Sequence, residues 1–359
     1  MDYKFSVTKT ENPKQKPDSS ALGFGKYYTD HMFVMDYDEE HGWHDGRIVP
    51  YGPISLDPAA CTLHYAQMSF EGMKAYRNPQ GGINLFRPKM NAKRMITSNK
   101  RLCIPPIDKD LFIAAIKAIV DVERDWVPDR PGTSLYIRPF IISPEVSMAV
   151  HPASHYMFII ILSPVAAYYE GNDKELHASR IWVEEGFIRA AMGGTGYAKC
   201  GGNYASGMIA AVDAKRHGCE EVLWLDANEH RYVEEVGTSN AFFMIDNVVY
   251  TSPLTGSILP GVTRDSTIQL LEKWGYNVEE KRLDIEDVLK AADDGSLQEA
   301  WATGTACVIS PIGLLKFRGN EHPINNEKVG ELSQRLYDAL YGMQTGTIEP
   351  EMDGWVVTI

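Results

Sequence analysis

The chain has 359 residues, 44% of them hydrophobic and 23% charged, which is room for two ordinary domains, because single cores stop growing near roughly 250 to 300 residues. A formal net charge of −13, with no local cluster of Lys or Arg, excludes a partner recognised through its phosphate backbone, so no nucleic acid is expected and a small molecule is. The longest apolar run, residues 156–162, is far short of the roughly 20 residues of a membrane helix and reads as a buried strand.

Along the first half, strand-like runs occur near 31–35, at 83–86, at 134–142 and at 156–162. Among them lies one clear amphipathic helix, 108–126, with Leu111, Phe112, Ala115, Ile116, Ile119 and Val120 on one face and Pro128 beyond its end. These make an α+β N-terminal domain over 1–167. The polar stretch 168–180 has the composition of a connector, and 181–359 forms the second, larger domain. There the reading predicts a helix over about 205–217 closed by Gly218, a strand at 221–226, and a hairpin turning at Asp246-Asn247. Further helices are predicted at 264–274, 284–292 and 326–341.

Five cysteines, Cys61, Cys103, Cys200, Cys219 and Cys307, include no C-x-x-C pair, which suits free thiols in a reducing compartment. The N-terminal stretch has neither the apolar core of a secretory signal nor an Arg-rich, acid-poor transit pattern, so a cytoplasmic protein is expected.

The chemistry centres on G-G-T-G-Y-A-K-C-G-G-N-Y-A-S-G, residues 193–207, in which glycines surround Lys199. A phosphate-cradling G-K-[ST] loop is excluded, because Ala198 and Cys200 flank the lysine, and a dinucleotide fingerprint would need glycine at position 199. A lysine among so much bare backbone suits an amine whose pKa is lowered from about 10.4 by desolvation, ready to attack a carbonyl. An aldehyde cofactor such as pyridoxal phosphate then requires a carboxylate for its ring nitrogen, a donor for its phenolic oxygen and anion sites for its phosphate. V-E-E-V-G-T-S-N at 233–240 offers Glu234 or Glu235, which point to opposite sides of an extended backbone. S-I-L-P-G-V-T-R at 257–264 offers a turn opening a helix at Val262 and Thr263, whose free N–H groups suit an anion. W-A-T-G-T-A-C-V at 301–308 offers a second small-residue turn. H-G-W-H at 41–44 with Asp45 reads as a polar surface loop, and no metal site is assigned to it.

Taken together with L-H-Y-A-Q-M-S-F-E-G-M-K-A-Y (63–76), L-F-R-P-K-M-N-A-K-R-M (85–95) and G-T-S-L-Y-I-R-P (132–139), these segments resemble the branched-chain aminotransferases, pyridoxal-phosphate enzymes of fold type IV, from about residue 24 onward. The likeness is greatest to the longer, eukaryote-like branch. It implies a two-domain fold with a small α/β N-terminal domain and a larger pseudo-barrel domain. It also implies amino transfer between L-leucine, L-isoleucine or L-valine and 2-oxoglutarate.

By the same resemblance, Lys199 bonds the cofactor and moves the proton between substrate Cα and cofactor. Glu235 holds the ring nitrogen and Tyr204 the phenolic oxygen. Arg94, the backbone at Val262 and Thr263, and Thr305 hold the phosphate. Thr238 belongs to the cofactor set and, with Thr305 and Ala306, to the seat of the substrate α-carboxylate. Tyr65, Phe70, Tyr136 and Tyr168 wall the side-chain pocket, and Arg138 meets the glutamate carboxylate. Met148 and Val150 match positions that reach in from a neighbouring subunit, so a homodimer is implied. Animal members carry a C-x-x-C redox switch after G-T-A; with Cys307 followed by Ser310 in the second place, no intramolecular thiol switch is expected. A D-amino acid transaminase or an aminodeoxychorismate lyase of the same fold, and a non-catalytic pyridoxal-phosphate-binding protein, are the alternatives.

Overall fold

In the computed structural model, which describes residues 3–166 and 176–359, the apolar runs of the first half become one nine-stranded sheet. Its order is Ser6–Val7, Gly42–Pro50, His31–Asp38, Tyr156–Val165, Ser134–Ile142, Met73–Arg77, Ile83–Phe86 and Val356–Thr358, with the short strand Ser69–Phe70 paired to Ser134–Ile142. Residues 31–35 are buried throughout because both faces of their strand are covered, Phe33 and Met35 packing into one core and Met32 and Val34 into another. The predicted helix runs Lys109–Val122. Asp108 caps it by accepting from the N–H groups of Asp110 and Leu111 at 2.9 and 3.1 Å, and a 3-10 turn, Arg124–Trp126, follows. Phe112, Ile116 and Ile119 from this helix meet Phe33, Leu135, Phe158 and Leu162 from the sheet in one core.

A second helix, Pro88–Arg101, has no counterpart among the elements read from the sequence. Its buried face includes Asn91, Arg94, Ser98 and Asn99, so the apolar periodicity that normally reveals a helix is missing. Polar side chains on a buried face need partners, and theirs belong to the site described below.

The other sheet contains a closed circuit. Val233–Val236 pairs with Glu221–Leu225, then Ser179–Glu184, Val308–Phe317, Leu297–Gly304 and Ser239–Ile245 follow, and the last pairs back to Val233–Val236. Closure leaves no free edge within that circuit and gives the barrel-like domain that was expected. Val248–Thr251 and Asn277–Glu280 extend it on one side. The hairpin at Asp246-Asn247 forms as read, both turn residues having positive φ (48° and 65°), as tight two-residue hairpin turns require. The predicted helices occur at Val262–Lys273, Ile285–Asp294 and Glu331–Thr345, while the helix predicted over 205–217 is broken into Gly201–Ala205 and Met208–Arg216. No helix among the described residues is long and apolar enough to cross a membrane.

The chain divides into two compact units: Met1–Asp173 with Ala198–Gly201 and Met343–Ile359, and Lys174–Tyr197 with Gly202–Gly342. The four residues around Lys199 thus belong to the first unit. Residues 168–175 of the expected connector, Tyr168 included, lie outside the described residues.

Candidate functional site

In the first unit, backbone contacts fix Lys199 before its side chain does anything. Its N–H donates to Ser98 Oγ at 2.8 Å, and its carbonyl accepts from the N–H of Phe70 at 3.0 Å. Cys200 bridges to Ser69, so the lysine segment extends the edge strand Ser69–Phe70. Gly201 packs closely here, its N–H donating to Met68 Sδ at 3.2 Å. The Lys199 ammonium lies 4.9 Å from the centre of the Phe70 ring. Burial lowers its pKa to about 8 and the Arg94 charge adds to the effect, while Glu71 opposes it.

Glu71 is fully buried and grips Arg94 through two parallel bonds, Nε to Oε1 and Nη2 to Oε2, both 2.8 Å; Asn91 donates to Oε2 at 2.9 Å. Burial alone would raise this carboxyl, but Arg94, with Lys199 and Asn91, holds it below the usual carboxylate range. Phe70, Tyr136 and Arg138 gather beside the lysine: the Arg138 guanidinium lies 4.8 Å from the Phe70 ring centre and donates to the Tyr136 hydroxyl at 3.2 Å. A Cβ on Gly72 would come within 2.1 Å of that same hydroxyl oxygen. Elsewhere on this unit the Tyr65 hydroxyl donates to the carbonyl of Met148, and Met148 and Val150 are 70% and 83% exposed.

In the second unit, strand alternation separates the two glutamates. Glu235 pairs with Arg189 and accepts from Asn240 Nδ2 at 2.8 Å. Glu234, on the opposite side, accepts from the Ser257 hydroxyl, and burial pushes its carboxyl up. Glu235 is therefore the carboxylate whose surroundings favour a lasting negative charge. It lines a cavity of about 200 Å³ together with Arg189, Tyr204, Thr238, Trp224 and Leu259.

Asn240 also donates to the carbonyl of Leu259 at 2.9 Å, tying this pocket to the turn that opens the helix Val262–Lys273. That turn needs Gly261, because a Cβ would stand 2.0 Å from Asn240 Oδ1. Val262 and Thr263 are buried in the first turn of the helix, where backbone N–H groups lack helical partners. Thr305 and Ala306 form the turn between Leu297–Gly304 and Val308–Phe317, and a Cβ on Gly304 would meet Ser239 Oγ at 2.8 Å, which places this turn beside Thr238-Ser239.

Each unit thus gathers part of the expected set: Lys199, Arg94, Phe70, Tyr136 and Arg138 in one, Glu235, Tyr204, Thr238, Val262, Thr263, Thr305 and Ala306 in the other. Tyr65, Met148 and Val150 share the exposed loop region, and Tyr168 lies outside the described residues. Glu71, Asn91, Ser98, Arg189 and Asn240 were not singled out from the sequence; Glu71, Asn91 and Asn240 lie in segments quoted there, but no role was given to them. The donor set suits pyridoxal phosphate: an amine of lowered pKa, a buried ionised carboxylate, a buried arginine and a helix N-terminus.

Residues 68–315 match the family model described as amino-transferase class IV. A probable branched-chain-amino-acid aminotransferase of Staphylococcus epidermidis is 48% identical over 100% of this chain and 99% of its own. Branched-chain-amino-acid transaminase 1 of Bacillus subtilis is 47% identical over 98% of both chains. Among solved structures, the branched-chain amino acid aminotransferase of Escherichia coli superposes with a TM-score of 0.74 at 27% identity, covering 90% of this chain and 98% of that one. The T.th. enzyme of the same name, solved with pyridoxamine 5'-phosphate, also gives 0.74 at 27% identity, over 90% and 97%.

Proposed function

The chain belongs to the class IV aminotransferases, enzymes dependent on pyridoxal 5'-phosphate, and from that premise we propose that it exchanges amino groups between L-leucine, L-isoleucine or L-valine and 2-oxoglutarate. The bound cofactor supplies an aldehyde that takes up the amino group and a ring that accepts the electrons of the Cα–H bond. The protein's part is to hold that ring, seat the substrate and move one proton.

Lys199 Nζ, its pKa lowered to about 8, would take the Cα proton and return it, acting as base in one direction and acid in the other. Glu235 faces the ring nitrogen, its negative charge sustained by Arg189 and Asn240. Tyr204 and Thr238, on the same cavity, take the phenolic oxygen and the substrate edge. Arg94, the first N–H groups of the helix Val262–Lys273 and Thr305 hold the phosphate. The Thr305-Ala306 turn, with Thr238, seats the α-carboxylate.

Phe70 and Tyr136 give an aliphatic side chain an aromatic wall, and Arg138, lying against both rings, offers a charge to the second carboxylate of glutamate. Tyr65 and Tyr168 complete that wall in our reading. Met148 and Val150, too exposed to serve any core of their own chain, reach a neighbouring copy in a homodimer. The same reading makes the enzyme cytoplasmic.

The setting of Lys199, held by both backbone groups with its amine pKa lowered beside Phe70, Tyr136 and Arg138, carries this proposal. Lys199→Ala is expected to keep the fold, judged by circular dichroism, and to lose leucine-to-2-oxoglutarate transfer by at least about a thousandfold. An unchanged rate contradicts catalysis altogether, and turnover of D-amino acids in place of leucine by the wild type favours the D-specific relatives of the fold.

A further inference from the structure

The polar loop set aside in the sequence gains a further carboxylate, Asp38, in three dimensions. The strands His31–Asp38 and Gly42–Pro50 pair with Asp38 opposite Gly42 and Asp36 opposite His44, which brings Asp38 to the base of the turn that carries His41. Asp38 Oδ1 accepts from the N–H groups of Glu40 and His41 at 2.9 and 2.8 Å and also lies 3.0 Å from His41 Nδ1. Its other oxygen, Oδ2, stands 3.1 Å from His41 Nδ1 and 2.9 Å from His44 Nε2. One ligand atom from each of the three residues lies within 4.8 Å of the others.

The second observation concerns His44. Its Nδ1 sits 2.9 Å from Asp45 Oδ2 and its Nε2 2.9 Å from Asp38 Oδ2, so Asp45 fixes the ring with Nε2 directed into the cluster. Asp45 reaches that place through a positive φ of 54°, uncommon outside glycine, which indicates that surrounding contacts hold it there. Two imidazole nitrogens thus converge on one carboxylate, held there by hydrogen bonds whose ring protons a bound ion would displace. The hairpin presenting them is anchored, with Trp43 Nε1 donating to the Pro106 carbonyl at 3.0 Å.

We propose that Asp38, His41 and His44 form a binding site for a divalent ion of the zinc type, with Asp45 orienting His44 and water completing the coordination. Two imidazoles and one carboxylate are ligands that suit zinc, nickel or copper better than calcium or magnesium. The site lies on the Gly42 turn and shares no residue with the amino-transfer machinery, so its occupancy is separable from activity.

The test is isothermal titration of the full-length, cofactor-loaded protein with zinc chloride. Saturable uptake is expected at this site, lost by at least about a hundredfold in affinity in both His41→Ala and His44→Ala and weakened about tenfold in Asp45→Asn. Unchanged leucine transamination in the variants confirms that they are folded. Absence of saturable binding overturns the proposal. So does zinc binding of equal affinity in the His41→Ala and His44→Ala variants, which would place the ion elsewhere, for instance on the exposed thiol of Cys103.

Discussion

Lys199, Glu71 and Arg94 act as one electrostatic unit. With a pKa near 8 the lysine is about half neutral at pH 8, so covalent capture of added pyridoxal phosphate by the apoprotein is expected to quicken about tenfold per pH unit below that value and to level off above it. Glu71 is the negative charge that keeps this pKa from falling further. Glu71→Gln is therefore expected to move the inflection to lower pH and, by leaving Arg94 buried without its counter-charge, to destabilise the protein by about 3 kcal/mol. Stopped-flow absorbance across pH and thermal unfolding measure the two effects; an inflection unmoved or shifted upward would contradict the assignment. Lys199 could be found in the sequence because a lone amine among glycines is compositionally odd. Glu71, Asn91 and Arg189 could not, because their meaning lies in partners 20 or more positions away. Of Glu234 and Glu235, alternation says only that they differ; Arg189 and Asn240 show which one is paired with a cation, while burial pushes the other up.

Secondary structure delivers these residues by unlike routes. The helix Pro88–Arg101 carries Asn91, Arg94 and Ser98 on its buried face and supports both Glu71 and the Lys199 backbone, which explains why it is polar where a core helix would be apolar. A search for hydrophobic period passes over such a helix, and its absence from the sequence reading has that physical cause. The helix Lys109–Val122, which serves packing, was readable from its apolar face and the proline beyond its end. Glycines mark where elements approach. Gly72→Ala would drive a methyl into the Tyr136 hydroxyl, displacing Tyr136 and the Arg138 it contacts. The expected outcome is a rise of about tenfold in KM for leucine, with visible cofactor absorbance retained. An unchanged KM would show that Tyr136 does not wall the substrate pocket.

For the molecule as a whole, the residues expected to bind the cofactor fall in both compact units of the chain. The mixed α and β class and the closed sheet were legible from strand runs together with resemblance. Composition could not have disclosed closure, since that depends on Val233–Val236 pairing back to Ser239–Ile245. Exposure of Met148 and Val150 leads us to expect a dimer whose dissociation costs activity. Replacing both by Asp is expected to shift the sedimentation coefficient to that of a 40.2 kDa chain and to cut turnover, and a monomeric wild type would remove the neighbouring-subunit role. The most direct test of amino transfer at Lys199 is the visible spectrum of the cofactor-loaded protein before and after L-leucine is added without any keto acid. A yellow band that bleaches on addition is the expected result; a colourless protein that cannot be reconstituted, or a band that leucine leaves unchanged, would contradict it.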